Sequence, residues 1–132
     1  MSVYQLEFEV RDNEIDIQGV VNNSNYLIYL AHARHQYVKQ LGVSFSKWSE
    51  DKQYLFLVKT EIEFKKPLRS EDKFYVTCKL VPEGKVRFAF IQEIIKLPDN
   101  LLIAKAHNTC VCIDGNNRNR PYLPEIIKNN FA

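Results

Sequence analysis

A chain of 132 residues, 45% of them hydrophobic, has room for one ordinary core and not for two, so a single domain over residues 1–132 is expected. Its 18 basic and 16 acidic side chains nearly balance and form no block of like charge, which removes the electrostatic case for a nucleic-acid or membrane-surface partner. No apolar run is long enough to span a bilayer, and the first residues, Met1 to Glu9, lack the basic and apolar regions of a secretory signal. A soluble cytoplasmic protein is expected.

Cysteine usage agrees with that setting. Cys78, Cys110 and Cys112 are odd in number and contain no C-x-x-C pair, as in a reducing compartment. Cys110 and Cys112 stand two apart in an alternating stretch and share one face, a poor geometry for a disulfide or for zinc. They are expected to be small buried hydrophobes, and no metal site is expected.

Residues 3 to 11 alternate, with Tyr4, Leu6, Phe8 and Val10 on one face, and predict a half-buried strand. A helix should follow, capped by Asn23 or Ser24, running to about Leu41 and stopped by Gly42. Tyr26, Leu30, Ala33, Tyr37 and Leu41 would form its apolar stripe. Residues 44 to 50 suggest a short helical turn. From 53 to 65 the even positions Tyr54, Phe56, Val58, Thr60, Ile62 and Phe64 read as an inward face, while Leu55 and Leu57 make the first half apolar on both sides, as if a second subunit covers it. Phe74, Val76, Cys78 and Leu80, turned by Pro82-Glu83-Gly84 into Val86, Phe88, Phe90, Gln92 and Ile94, predict an antiparallel hairpin. Pro98-Asp99-Asn100 turns the chain into a last strand over 101–113, and the residues from Gly115 on, with Pro121 and Pro124, read as a tail. Strand, helix and four further strands with short connections are most simply an α+β fold, a five-stranded antiparallel sheet curled around one long central helix.

The chemistry concentrates between the first strand and that helix. Residues 14 to 26 read Glu-Ile-Asp-Ile-Gln-Gly-Val-Val-Asn-Asn-Ser-Asn-Tyr. Asp16 falls three residues before Gly19, in a polar turn that feeds a helix start. Unpaired N–H groups and the helix dipole favour negative charge there, so a carbonyl oxygen that becomes an oxyanion during attack would be stabilised beside a carboxylate. Asp before Gly is also an ordinary turn residue that bonds its own backbone, and spacing alone leaves both readings open.

The pattern at Asp16, Gly19, Val21, Asn22, Asn23 and Tyr26 resembles the hotdog-fold acyl-CoA thioesterases, in particular the 4-hydroxybenzoyl-CoA thioesterase-like branch. Glu61 to Asp72, with its Pro67-Leu68 turn, and Asp114-Gly115 through Pro124 are similar to that family's second long strand and C-terminal segment. The resemblance implies hydrolysis of a thioester, with Asp16 as nucleophile or general base and with Asn23, Asn25 and Tyr26 forming the oxyanion and substrate-orienting helix start. Many relatives carry His after the Gly, where this chain has Val20; others carry an acid in the helix, where Ala31 and His32 precede Ala33 and Arg34. Neither alternative catalyst is available here. Coenzyme A would enter as part of the substrate and no separate cofactor is implied; its phosphates would call for basic side chains, and Lys65, Lys66, Arg69 and Arg87 are the candidates. Strand-edge charges are equally explained as solvated guards against aggregation.

Competing expectations come from the same residues. A non-catalytic acyl or CoA-binding domain fits the fold as well. A hydratase fits less well, because His32 and His35 on the helix lack an obvious acidic partner, and His107 reads as structural. An acyl-CoA or an acyl-carrier protein would be the partner, and the exposed apolar strand implies a homodimer or a dimer of dimers.

Overall fold

The computed structural model describes residues 3–132. In chain order it contains β1 (Tyr4–Glu9), a 3-10 turn (Asp12–Glu14), α1 (Asn23–Leu41), α2 (Phe45–Glu50), β2 (Gln53–Phe64), β3 (Lys73–Glu83), β4 (Arg87–Lys96), β5 (Leu101–Asp114), β6 (Arg120–Tyr122) and α3 (Glu125–Lys128). The strands form one antiparallel sheet in the order β1-β3-β4-β5-β2, with β6 added to the end of β5. Helix α1 packs across it, chiefly over β1 and β3. None of the described helices is long and apolar enough to cross a membrane.

Alternation in β3 and β4 works as expected: Phe74, Val76, Cys78, Leu80, Phe88, Phe90 and Ile94 are all buried on the helix side. Each such aromatic or aliphatic side chain contributes on the order of 1.5–3 kcal/mol by leaving water. Around the first half of α1 they meet Tyr26, Tyr29, Leu30 and Ala33. Around its end, Val38 and Val43 meet Leu80, Phe88, Phe90, Cys110, Cys112 and Ile127. Burial pushes the thiol of Cys110 up to about 11 and those of Cys78 and Cys112 up to about 12, so all three are neutral packing groups.

Five expectations need correction. The sheet has six strands, because Arg120–Tyr122 pairs with Cys112–Asp114. The segment after Gly115 is therefore not a loose tail: Ile127 is fully buried, and the Ala132 N–H donates to the Leu80 carbonyl at 2.8 Å. The cap of α1 is Asn22, whose side chain accepts from the Ser24 N–H, rather than Asn23 or Ser24. The stripe of α1 shifts towards Tyr29 and Val38, which are buried, while Tyr37 and Leu41 are half-buried.

The fifth correction concerns β2. Leu57 pairs with Cys110 but Lys59 pairs with Thr109, so Val58 is an extra residue in the ladder. Side chains alternate with period 2, so one extra residue exchanges the faces. Before the bulge the odd residue Leu55 packs inward and Tyr54 and Phe56 point out; after it, the even residues Thr60 and Ile62 turn towards the helix side. A single inward face from Tyr54 to Phe64 is thus replaced by two half-faces. Phe56, Leu57 and Val58 are 51%, 49% and 43% exposed on the edge strand, a patch that this chain does not cover.

Candidate active site

The loop before α1 folds on itself. Ile15 and Val21 bridge, the Asp16 N–H donates to the Val20 carbonyl at 2.9 Å, and the Gly19 N–H donates to the Asp16 carbonyl at 3.0 Å. Closing so short a turn places Gly19 at φ +78°, where a side chain would be strained. Oδ1 of Asp16 accepts from the backbone N–H of Gln18 at 2.8 Å and of Val20 at 3.4 Å. One carboxylate oxygen thus holds the turn. Oδ2 has no partner among the described residues.

The loop is anchored from both sides. The Val21 N–H donates to the Leu68 carbonyl at 2.8 Å, and the buried Tyr26 hydroxyl accepts from the Leu68 N–H at 3.0 Å. The Glu14 carbonyl accepts from the Asn22 N–H at 3.0 Å and from the Asn25 side-chain amide at 3.1 Å. The carboxylate of Glu14, only 5% exposed, receives the Tyr29 hydroxyl at 2.7 Å and both the backbone N–H and the guanidinium of Arg11. Burial by itself would raise this carboxyl, but those donors together hold it below the ordinary glutamate range. Burial and the adjacent Glu14 raise the Tyr29 phenol.

At the helix start the three implied residues separate. The Asn25 N–H is committed to the Asn22 carbonyl at 2.9 Å and its side chain to Glu14, so Asn25 is a brace. Tyr26 is 3% exposed and braces Leu68. Asn23 is exposed, and its N–H has no partner among the described residues. That N–H lies at the positive end of a 19-residue helix and is left uncommitted.

The basic residues separate as well. Arg69 bridges Val20, which sets it beside the Asp16 loop, and Lys66 lies three residues before it in the chain. The Lys65 ammonium pairs with Glu63. Arg87 opposes Val111, whereas Lys65 and Lys66 bond to Ile103, eight residues back along β5 and roughly 26 Å away at ~3.3 Å per residue. Arg87 belongs to the far end of the sheet in one chain. His107 bonds Glu83 at 3.0 Å on the outer face of the sheet. His32 lies edge-on to Phe8, and His35, its imidazole pKa lowered by burial, lies against Phe45. No His–carboxylate pair forms on α1 among the described residues.

A hollow of about 740 Å³ lies on the outer sheet face among Tyr75, Lys79, Ile91, Glu93, Lys105 and His107. Asp16 does not line it. Its walls mix charged and scattered apolar groups.

Sequence reasoning overlooked Glu14, two residues before Asp16, although an acid next to the motif was visible. It also overlooked a polar group inside the fold. Gln92, fully buried, accepts from Arg34 at 3.1 Å and from the Asn108 amide at 2.8 Å, and donates to the Leu30 carbonyl at 3.1 Å and to Cys78 Sγ at 3.2 Å. A glutamine in an otherwise apolar row is the signal that could have revealed it.

Residues 10–131 match the family model described as the thioesterase-like superfamily. The chain is 33% identical over 130 residues to the chloroplastic acyl-acyl carrier protein thioesterase ATL3 of Arabidopsis thaliana, spanning 98% of this chain and 67% of that protein. It superposes on the 1,4-dihydroxy-2-naphthoyl-CoA thioesterase Slr0204 from Synechocystis with a TM-score of 0.88 at 24% identity, covering 98% and 95% of the two chains. It superposes on the Staphylococcus aureus protein SAV2348, solved in complex with CoA, with a TM-score of 0.87 at 18% identity, covering 98% and 81%. The fold is the hotdog fold, and the chain belongs to the thioesterase-like superfamily.

Proposed function

We propose that this protein hydrolyses an acyl-CoA or acyl-carrier-protein thioester to free acid and thiol, with Asp16 as nucleophile or general base. One observation carries this reading: a turn ties one oxygen of Asp16 and leaves the other unpartnered, next to a helix start whose Asn23 N–H is uncommitted. The carbonyl oxygen of the thioester would accept from that N–H as negative charge develops on it, a contact of the kind that contributes roughly 10²–10³ in rate. Oδ2 of Asp16 would then attack the carbonyl carbon or take a proton from the attacking water. The CoA complex of SAV2348 and the carrier-protein specificity named for the Arabidopsis relative support a pantetheine thioester as substrate. Lys66 and Arg69 would meet the phosphates of CoA. Lys65 and Arg87 could contribute once Lys65 leaves Glu63 and once a partner chain brings an Arg87 near. No separate cofactor enters the reaction.

The working unit would be a homodimer or a dimer of dimers. Edge strand β2 has unpaired backbone groups and the exposed Phe56, Leu57 and Val58, and pairing two copies across a two-fold axis would bury both. Three buried free thiols suit a cytoplasmic setting.

A panel of acyl-CoA and acyl-carrier-protein esters tests the activity, and Asp16→Asn tests the residue. The expected result is a fall in kcat of about 10³-fold or more, roughly 4 kcal/mol in the barrier, with folding intact. Near-full kcat in Asp16→Asn would remove Asp16 from the mechanism. Tight binding of esters by the wild type without turnover would favour the non-catalytic binding domain.

A further inference from the structure

We infer that Arg34 and Asn108 form a polar subsite between α1 and the inner face of β5 and β2, and that it reads a hydroxyl group far along the acyl chain. Gln92 is a saturated hub: its oxygen accepts from Arg34 at 3.1 Å and from the Asn108 amide at 2.8 Å, and both of its amide hydrogens are donated. Its two neighbours are not saturated. Asn108 is 1% exposed, and its Oδ1 is buried with no hydrogen-bond partner among the described residues. Arg34, half-buried, uses one of its five donors on Gln92.

A spare buried acceptor and spare cationic donors share one anchoring oxygen, so they lie within reach of one small group. The chemistry of that group follows from the pair. It must donate to Oδ1, which a carboxylate, ketone or phosphate cannot do, and it gains by accepting from Arg34, which a methyl group cannot do. A hydroxyl does both.

The approach comes from the fold. Helix α1 packs over β1 and β3, and Thr60, the cross-strand partner of Asn108, is half-buried on the inner face of β2. Further along the same face Phe64 meets Tyr26 edge-on yet stays 48% exposed, and Leu27 on α1 is also 48% exposed. An acyl chain lying on these exposed apolar groups would run from the helix start towards Asn108. Arg34 is 11 residues from Asn23, roughly 16 Å along the axis at ~1.5 Å per residue, and its side chain leans back towards the helix N-terminus. The hydroxyl is therefore distal to the thioester.

The subsite rests on the thioesterase reading for its acyl ligand, and a binding experiment separates the two. Titration calorimetry would compare medium-chain CoA esters in matched pairs, with and without a distal hydroxyl and each made as its non-hydrolysable thioether, on the wild type, Asn108→Leu and Arg34→Met, with hydrolysis of the parent esters followed separately. The wild type should bind the hydroxylated ester about tenfold or more tighter than its deoxy partner, since each tenfold is one well-placed polar contact. Both variants should reduce that ratio to near one. A terminal carboxylate in place of the hydroxyl should bring no gain. Equal affinities within each wild-type pair, as expected if the group binds structural water only, would overturn the subsite, and so would a preference that survives in both variants or a failure of any ester to bind. If Asn108→Leu does not fold, the wild-type pairs and Arg34→Met decide. Hydroxyl-selective binding without hydrolysis would retain the subsite and reject the thioesterase activity.

Discussion

The corner around Asp16 and the edge at β2 are built on opposite terms. At the corner, short polar contacts within one chain fix each backbone segment: Glu14 to Asn22 and Asn25, Leu68 to Val21 and Tyr26, Asp16 to its own turn. What stays uncommitted there is one carboxylate oxygen and one N–H. At the edge, a bulged strand leaves three consecutive apolar side chains and its outer backbone open. On the proposed function, the chain itself would preorganise the reactive geometry, whereas the surface that encloses a substrate would be completed by a second copy. A rigid centre with an incomplete wall is the lesson of the contrast.

The edge should break most visibly. Leu57→Asp, placed on the uncovered patch, should weaken self-association by about a hundredfold or more and leave the monomer folded, as read by sedimentation velocity against circular dichroism. A stable monomer in the unsubstituted protein at micromolar concentration would contradict the dimer outright.

The corner should respond through stability. Glu14→Gln weakens the contacts to Arg11 and Tyr29 in a buried position, and a loss of about 1–3 kcal/mol in denaturant unfolding is expected. The pH dependence has a definite sign. Glu14 is held below its ordinary value in the folded state, so its stabilisation is complete above the unfolded value of about 4.3 and disappears as pH falls through the folded value. The difference between wild type and Glu14→Gln should therefore be largest near neutrality and shrink on acidification below about pH 4. A difference that grows in acid would refute the assignment.

The smallest effect sits between the two regions. Arg69→Ser should raise KM for CoA esters severalfold with kcat little changed, because a phosphate contact remote from the reacting bond is equal in ground and transition states. The penalty should fade at high salt, where exposed pairs are screened beyond about 10 Å at 0.1 M. An equal penalty with a pantetheine thioester lacking the phosphates would show that Arg69 reads something else.

Much of this was legible in the sequence because it is periodic. The hairpin of β3 and β4, the extent of α1 and the stop at Gly42 follow from alternation, helical spacing and one glycine. The Asp16 turn was legible because Asp and Gly at that spacing have few backbone solutions. What was missed depends on through-space pairing. Nothing local says that Asn25 serves Glu14, leaving Asn23 as the open donor, or that Gln92 gathers Arg34 and Asn108 from two other elements. The shift of faces in β2 was hidden for another reason: Tyr54 to Val58 is apolar at every position, so periodicity offered no way to place an inserted residue. The ends of the sheet were hidden too, since a three-residue strand such as Arg120–Tyr122 is too short to alternate.

Because Val58 is one residue out of step, β2 addresses two audiences with a single backbone. Ahead of it the even residues Tyr54 and Phe56 face outward, while behind it the even residues Thr60 and Ile62 turn towards the helix. Deleting Val58 would do more than shorten a strand. It would put Leu55 out of phase with Cys112 or Ile62 out of phase with Ala106, so either the outer apolar patch or the inward face at Ile62 would be scrambled. Substitutions on the two halves can accumulate independently, but a change of length at this point strikes both. In a lineage free to vary its acyl group and its oligomer, this one position should admit many side chains and almost no insertions or deletions.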